Sequence, residues 1–427
     1  MHNEENKISA NSPKMLEDFE IMAPAGNFEC LMAAIQGGAN SVYFGVENLN
    51  MRSKSANNFK LSQMGKIAEI CKNNNVKSYL TLNVVMYDED MNDMRKIVEE
   101  VKKTGINAII ASDQSAIHYA CKCDVEVHIS TQLNISNTEA LKFYAQYADV
   151  VVLARELNLK QVAEIHRQIC EQQIKGPSGN LVKLEMFAHG AFCMSISGKC
   201  YLSLHEYNFS ANRGTCLQTC RRAYTVTDRE TGAQLEIDNE YIMSPKDLCT
   251  IGFIDKMIDA GVSVFKIEGR ARSAEYVKTV CRCYSEAVKS IVDGTYNQQK
   301  TDEWTRQLGN VFNRGFWNGY YLGQRLGEWS KAYGNQSPKR KEYIAKCTNF
   351  FGNIGIAEFL IEAGELNKND EIIITGATTG LVEQTVEEIR VDLQPVEKAE
   401  KGVYCSIPVA EKVRRGDKLY RITDAAK

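Results

Sequence analysis

Proline is scarce in this chain, at 7 of 427 residues, and no run approaches the roughly 18 to 20 apolar residues that a membrane span needs. The first scarcity excludes a collagenous or Pro-rich disordered chain, and the second excludes a helical membrane protein. The opening stretch MHNEENKISANSPK is polar, not basic and then apolar, so no secretory leader is expected and the cytoplasm is the default location. Charge of one sign is also missing. With 51 Lys and Arg against 54 Asp and Glu, the formal net charge is -3, which selects no partner overall and leaves a local basic patch open.

Several catalytic signatures are absent as well. The turn after the first candidate strand reads Ala23-Pro24-Ala25-Gly26-Asn27, without the GxGxxG of a dinucleotide site. No GxSxG nucleophile elbow occurs. His205-Glu206 begins like HExxH, but Phe209 stands where the second zinc-binding imidazole would be. Cys193 close to His189 offers a thiol–imidazole pair on sequence proximity alone, which makes His189 a candidate catalytic residue.

What is present begins with a repeat. Residues 1–16 read as a disordered lead-in. Short β-rich runs then follow at 20–22, 41–44, 77–82, 108–111, 125–130, 150–153, 184–187 and 262–267, most of them separated by helical patterns such as 28–36, 90–103 and 159–173. Eight such strands favour an α/β fold of the TIM-like (β/α)8 class over an open doubly wound sheet. The barrel domain is expected over 17–334, with a long Cys-rich loop insertion, a motif spanning 189–249, between the seventh and eighth strands. A helix at 274–292 and an aromatic, Gly-rich segment at 312–323 follow. A polar linker at 335–341 then leads to a small C-terminal β-barrel domain within 335–427, where the pattern alternates and turns recur.

Cysteine is plentiful, at 14 residues, and in a reducing compartment a cluster of them reads as metal ligands or catalytic thiols. Cys193, Cys200, Cys216, Cys220 and Cys249 all fall in the loop motif. Zinc and an iron–sulfur cluster both suit such a sulfur site; the lack of paired CxxC knuckles tilts the choice toward iron–sulfur. A radical CxxxCxxC motif is not completed, because Ala223 stands at its third position. The bland alternative is that these thiols are small packing residues, as Cys30, Cys71, Cys281 and Cys347 are expected to be.

Arginines gather at predicted strand ends: Arg52, Arg155, Arg213, Arg270 and Arg272. Their planar forks suit carboxylates or phosphate at a barrel mouth, although ordinary salt bridging would explain any one of them. Glu185 and Glu268, on the last two barrel strands, are either partners of these arginines or acid–base groups. Arg221, Arg222 and Tyr224, the run Lys339-Arg340-Lys341, and Lys412, Arg414 and Arg415 could grip a phosphate backbone, or be solvated surface.

The segments EMFAHGAFCMSISGKCYLS, NRGTCLQTCRRAY, MSPKDLC and FKIEGRARSAEYV, with IMAPAGNFECLMAAIQGGANSVYFGVENLN near the start, resemble the collagenase-like peptidase family U32. The resemblance runs from about Phe19 to Gly323 and includes the C-terminal β domain. Despite the family's name, it implies oxygen insertion with a [4Fe-4S] cluster held by four cysteines, the substrates being tRNA, 23S ribosomal RNA or a quinone precursor, with prephenate as cosubstrate of the RNA enzymes. Carried onto this chain, it names Cys193, Cys200, Cys216 and Cys249 as metal ligands, with Cys220 in reserve. The domain content is similar to that of hydroxylases that form 5-hydroxyuridine at the tRNA wobble position. That implies a tRNA anticodon arm as partner, docked by the β domain and Lys339–Lys341, and the iron–sulfur assembly machinery as a second partner; no membrane is involved. A peptidase, a ribosomal RNA hydroxylase and a non-catalytic metal-binding accessory subunit are the alternatives.

Overall fold

The computed structural model describes residues 15–54, 57–225, 227–232, 243–324, 327–331 and 334–425. Most of the expected lead-in lies outside these, and Leu16 already belongs to a short 3-10 turn.

Seven strands run in order around a parallel ring: β1 (Glu20–Pro24), β2 (Ser41–Phe44), β3 (Lys77–Leu82), β4 (Ala108–Ala111), β5 (Glu126–Ile129), β6 (Val150–Val152) and β7 (Lys183–Gly190). A short strand, β8 (Asp247–Cys249), lies antiparallel on the end of β7, opposite His189 and Gly190. The eighth barrel strand, β9 (Val262–Ile267), pairs in parallel with both β7 and β1 and closes the ring. This is the TIM-like closed barrel that the repeat predicts. Its strands read as nearly continuous apolar runs because helices cover the outside and side chains fill the inside.

The outer helices are α1 (Phe28–Gln36), α2 (Met64–Asn73), α3 (Met91–Thr104), α4 (Gln114–Lys122), α5 (Thr138–Ala145), α6 (Leu159–Glu171), α8 (Ile254–Asp259) and α9 (Ala274–Val292). The short α7 (Leu202–Tyr207) sits in the Cys-rich loop, and α10 (Gln298–Gly309) follows α9. Local chemistry starts several of them. Asn27, Asn137, Asn158 and Asn297 each accept a backbone N–H of the first turn of α1, α5, α6 and α10, a cap worth about 1 kcal/mol. Among the described residues, no helix is long and apolar enough to cross a membrane.

The barrel axis is only partly apolar. Met22, Tyr43, Tyr79, Ala108, Ile110, Val150 and Val264 form one inner cluster. Between them stand buried Glu185, His128 and Lys266. Lys266 Nζ lies 2.7 Å from Glu185 Oε1, and His128 Nδ1 lies 3.8 Å from Glu185 Oε2. Glu185 is thus the buried counter-ion of a lysine inside the barrel. The acid–base role expected of it does not fit that position.

After a short strand β10 (Phe316–Trp317), which pairs with β8, the second sheet begins. It contains β11 (Lys339–Phe351), β12 (Ile356–Ile361), β14 (Glu371–Gly376), β15 (Gly380–Thr385), β16 (Ile389–Val391), β17 (Gln394–Val396), β19 (Tyr404–Pro408) and β20 (Lys418–Asp424), with a separate pair of β13 (Glu365–Asn367) and β18 (Lys398–Glu400). Ile344, Phe359, Leu366, Ile374, Val386 and Leu419 belong to its own core. Lys339–Lys341, expected as linker, forms the start of β11, the longest strand, whose polar entry hides the alternation that follows. The domain docks on α1 and α9. Gln36 accepts from Leu381 N–H at 2.9 Å and donates to Thr379 O at 3.0 Å, and Lys278 donates to Leu381 O at 3.0 Å.

The buried pair sets a stability test. Lys266→Met should cost about 3–5 kcal/mol in chemical denaturation, because it strands the Glu185 charge, and a Lys266→Met/Glu185→Leu double variant should recover most of that loss.

Candidate functional site at the barrel mouth

The loops leaving the C-terminal ends of the strands enclose a cavity of about 250 Å³. Two close backbone approaches shape it. Gly190, at the end of β7, has φ +104°, and a Cβ there would lie 2.3 Å from Glu268 O. A Cβ on Gly26 would meet Arg270 O at the same distance, so both sites require glycine.

Arg52, Arg155, Arg270 and Arg272 all line the cavity, as does Glu268. Arg52 Nη2 donates to Glu268 Oε1 at 2.8 Å, and Tyr43 Oη donates to Glu268 Oε2 at 3.3 Å. Burial alone would raise the Glu268 carboxyl, but the Arg52 charge and hydrogen bond, with help from Arg270 and Arg155, outweigh it and hold the pKa below the ordinary range. Arg270 donates to Thr81 Oγ1 at 2.7 Å and to Asn50 Oδ1, while its Nε finds no acceptor; burial pulls its pKa down to about 10. Arg155 Nε donates to Ser197 Oγ at 3.1 Å, and its guanidinium lies over Phe192 at 5.0 Å. Arg272 rests on the Phe312 ring at 3.4 Å. Among the described residues no carboxylate pairs with Arg155, Arg270 or Arg272, so the cavity carries uncompensated positive charge.

Arg213 stands elsewhere. It grips Asp90 and donates to Val85 O at 2.9 Å, clamping the Cys-rich loop to the loop after β3, outside the cavity lining. His189 is also removed from the cavity. Its ring lies among Tyr276, Tyr284 and Phe316, and burial holds its pKa down to about 3, so it is a neutral imidazole in the wall behind the cavity and not a base for Cys193.

Lys266 and Arg314, absent from the sequence expectations, line the cavity too, and so does Arg221, which was expected to grip a phosphate backbone. Lys266 was legible, since Val264, Lys266 and Glu268 share one face at a spacing of two. Arg314 sits in the aromatic, Gly-rich segment and pairs with Asp247 at 3.3 Å. Arg221 is an anchor, donating to Phe192 O at 2.6 Å and Pro245 O at 2.7 Å.

Four thiols share the cavity wall: Cys193, Cys200, Cys216 and Cys220. Burial pushes the Cys220 thiol up to about 11, against the pull of Arg221, and the other three thiols add to the rise. Cys249, named as a ligand by resemblance, is buried and not part of the cavity lining, with its Sγ 4.0 Å from Tyr284 Oη. Among the described residues, no three His, Cys, Asp or Glu side chains lie close enough to hold a single metal ion. The donor set that the lining offers, four sulfurs, is the chemistry that an iron–sulfur cluster takes.

The sequence pattern of Peptidase family U32 matches residues 26–331. A protein named collagenase from Porphyromonas gingivalis (strain ATCC BAA-308 / W83) is 62% identical over 406 residues, covering 95% of this chain and 98% of that protein. The tRNA hydroxylation protein P1 of Bacillus subtilis (strain 168) is 31% identical over 378 residues, covering 87% of this chain and 86% of that protein. A solved structure of the U32 peptidase Mk0906 is 12% identical with a TM-score of 0.38, covering 61% of this chain and 96% of that one.

Two titrations follow. The Arg52–Glu268 pair stabilises the fold fully above the ordinary carboxylate pKa of about 4.3 and stops doing so as pH falls through the lowered folded value. Glu268→Gln should therefore lower the melting temperature at neutral pH, with the gap to the native protein closing as pH falls through that lowered value. Because His189 stays neutral when folded, its C2–H NMR resonance should not move between about pH 5 and 8.

Proposed function

The chain belongs to peptidase family U32, and from that membership we propose that it is an iron–sulfur-dependent RNA hydroxylase that forms 5-hydroxyuridine at the tRNA wobble position with prephenate as cosubstrate. The observation that carries this reading is the shared wall: four thiols, and three arginines that no carboxylate pairs with among the described residues, face one small cavity at the barrel mouth. The likeness to a tRNA hydroxylation protein over most of both chains supports it.

Cys193, Cys200 and Cys216 would hold the cluster, with Cys220 or Cys249 as the fourth ligand. When bound, the cluster supplies one-electron chemistry. Arg155, Arg270 and Arg272 bind the carboxylates of a small dianion. Lys266, held by Glu185, adds a fixed ammonium at the cavity floor. Arg52 and Tyr43 keep Glu268 ionised and oriented as the one carboxylate of the lining. Ile110, Phe187 and Phe192 form an apolar wall against which a ring can lie, which keeps water from the reacting face.

The name of the 62% identical relative favours a second reading, a peptidase. The geometry offers it less support, because His189, the imidazole four residues before Cys193, is sealed behind the wall. Both readings make the chain an enzyme; the reaction and the substrate separate them.

Anaerobically purified protein should carry about four irons and as many sulfides per chain, and Cys193→Ser, Cys200→Ser and Cys216→Ser should each lose most of that iron. Of Cys220→Ser and Cys249→Ser, the variant that also loses it identifies the fourth ligand. Nucleoside mass spectrometry of tRNA from a deletion strain should show 5-hydroxyuridine lost and restored by the native gene. Unchanged tRNA beside purified protein that cleaves collagen-type peptides would replace the proposal with the second reading.

A further inference from the structure

The Cys-rich loop carries more exposed apolar surface than a loop usually keeps in water. Among the described residues, 17 large hydrophobic side chains are exposed, and 8 of them fall within 85–87 and 194–217. Tyr201 is 72% exposed, Ile196 54%, Tyr87 53% and Phe209 50%. Patches of this kind mark interaction surfaces.

The two segments form one surface. Val85 N–H donates to Asn212 O at 3.0 Å, and the Arg213 guanidinium that bonds Val85 O lies 4.1 Å from the Tyr87 ring centroid. The surface also runs into the cavity, because Met194 and Ile196 line its edge. Cations stand among the rings. Arg222 donates to Tyr207 Oη at 2.6 Å and lies over that ring, and Lys199 is exposed. Acidic groups are present too: Glu206 sits 3.4 Å from Arg222, and Asp90 is taken up by Arg213.

We infer that this aromatic rim is a stacking platform for a single-stranded RNA loop, holding the nucleotides that flank the base entering the cavity. The inference rests on the hydroxylase reading and adds to it the docking surface. Exposed rings interleaved with arginine and lysine, above a cavity of uncompensated positive charge, match a polyanion whose bases are unstacked. Pulling one base into a pocket costs stacking with its neighbours, and rings at the rim replace that stacking. In the basic run of the β domain the cations are paired with carboxylates, as Arg213 and Arg222 are at the rim. Lys339 pairs with Asp424 at 3.0 Å, Arg340 with Glu342 at 2.6 Å and Lys341 with Glu275 at 2.9 Å.

The test is fluorescence anisotropy of a labelled RNA hairpin with a uridine-containing single-stranded loop, titrated with the full chain. Tyr201→Ala and Phe209→Ala should each weaken binding about tenfold, and Tyr201→Phe should not. The slope of affinity against salt should stay unchanged, since no phosphate contact is removed. Melting temperature and iron content should match the native protein, because these side chains are exposed. Native protein that binds the hairpin, with both alanine variants binding equally well, would overturn the inference and leave the hydroxylase reading standing. Native protein that ignores the hairpin but binds a collagen-type peptide through the same rings would overturn both.

Discussion

A charge taken out of water must find a counter-charge or hydrogen bonds, and closing eight strands around an axis that contains a lysine and a glutamate imposes that requirement on the whole barrel. Lys266 and Glu185 meet it at the centre, and Arg52 with Glu268 and Arg314 with Asp247 meet it at the mouth. Once these pairs are made, the remaining cavity cations stand out. Among the described residues no carboxylate pairs with Arg155, Arg270 or Arg272, an arrangement that stays costly until an anion arrives.

The thiols follow a similar division. Several of the buried ones, such as Cys71, Cys281 and Cys283, sit on helix faces turned to the core, where burial raises their pKa to about 12 or beyond and packing is their role. Of the four on the cavity wall, Cys193, Cys200 and Cys216 lie in irregular backbone and Cys220 in a short 3-10 turn, in a loop braced by Arg221 to Phe192 and Pro245 and by Arg213 to the loop after β3. These two arginines, expected to contact RNA or substrate, keep the loop over the mouth instead. The C-terminal sheet is fixed to α1 and α9 through Gln36 and Lys278, which places it on the outside of the barrel.

Much of the fold was legible. Each of the eight barrel strands lies where its apolar run predicts, because parallel strands buried on both faces need such runs and helices of period 3.6 must separate them. The Cys-rich motif was visible as a break in that rhythm. Less was legible where pairing is non-local. Strand β8 exists only because three residues find the end of β7, and β11 begins with a polar run that reads as linker. At the site, residue type predicted the mouth arginines well but misplaced Arg213, Glu185 and His189.

Composition, periodicity and motif spacing alone determined the barrel, the appended β domain and the position of the thiol-rich loop, since each depends on local pattern, while the family rested on the resemblance of the motif segments. Only the tertiary structure decided that Glu185 serves Lys266 inside the barrel, that His189 is sealed and neutral, and that Cys220 shares the cavity wall while Cys249 faces Tyr284. Those outcomes depend on which side of a strand or loop a side chain takes and on which charge it meets there. Both are set by contacts between residues far apart in the chain.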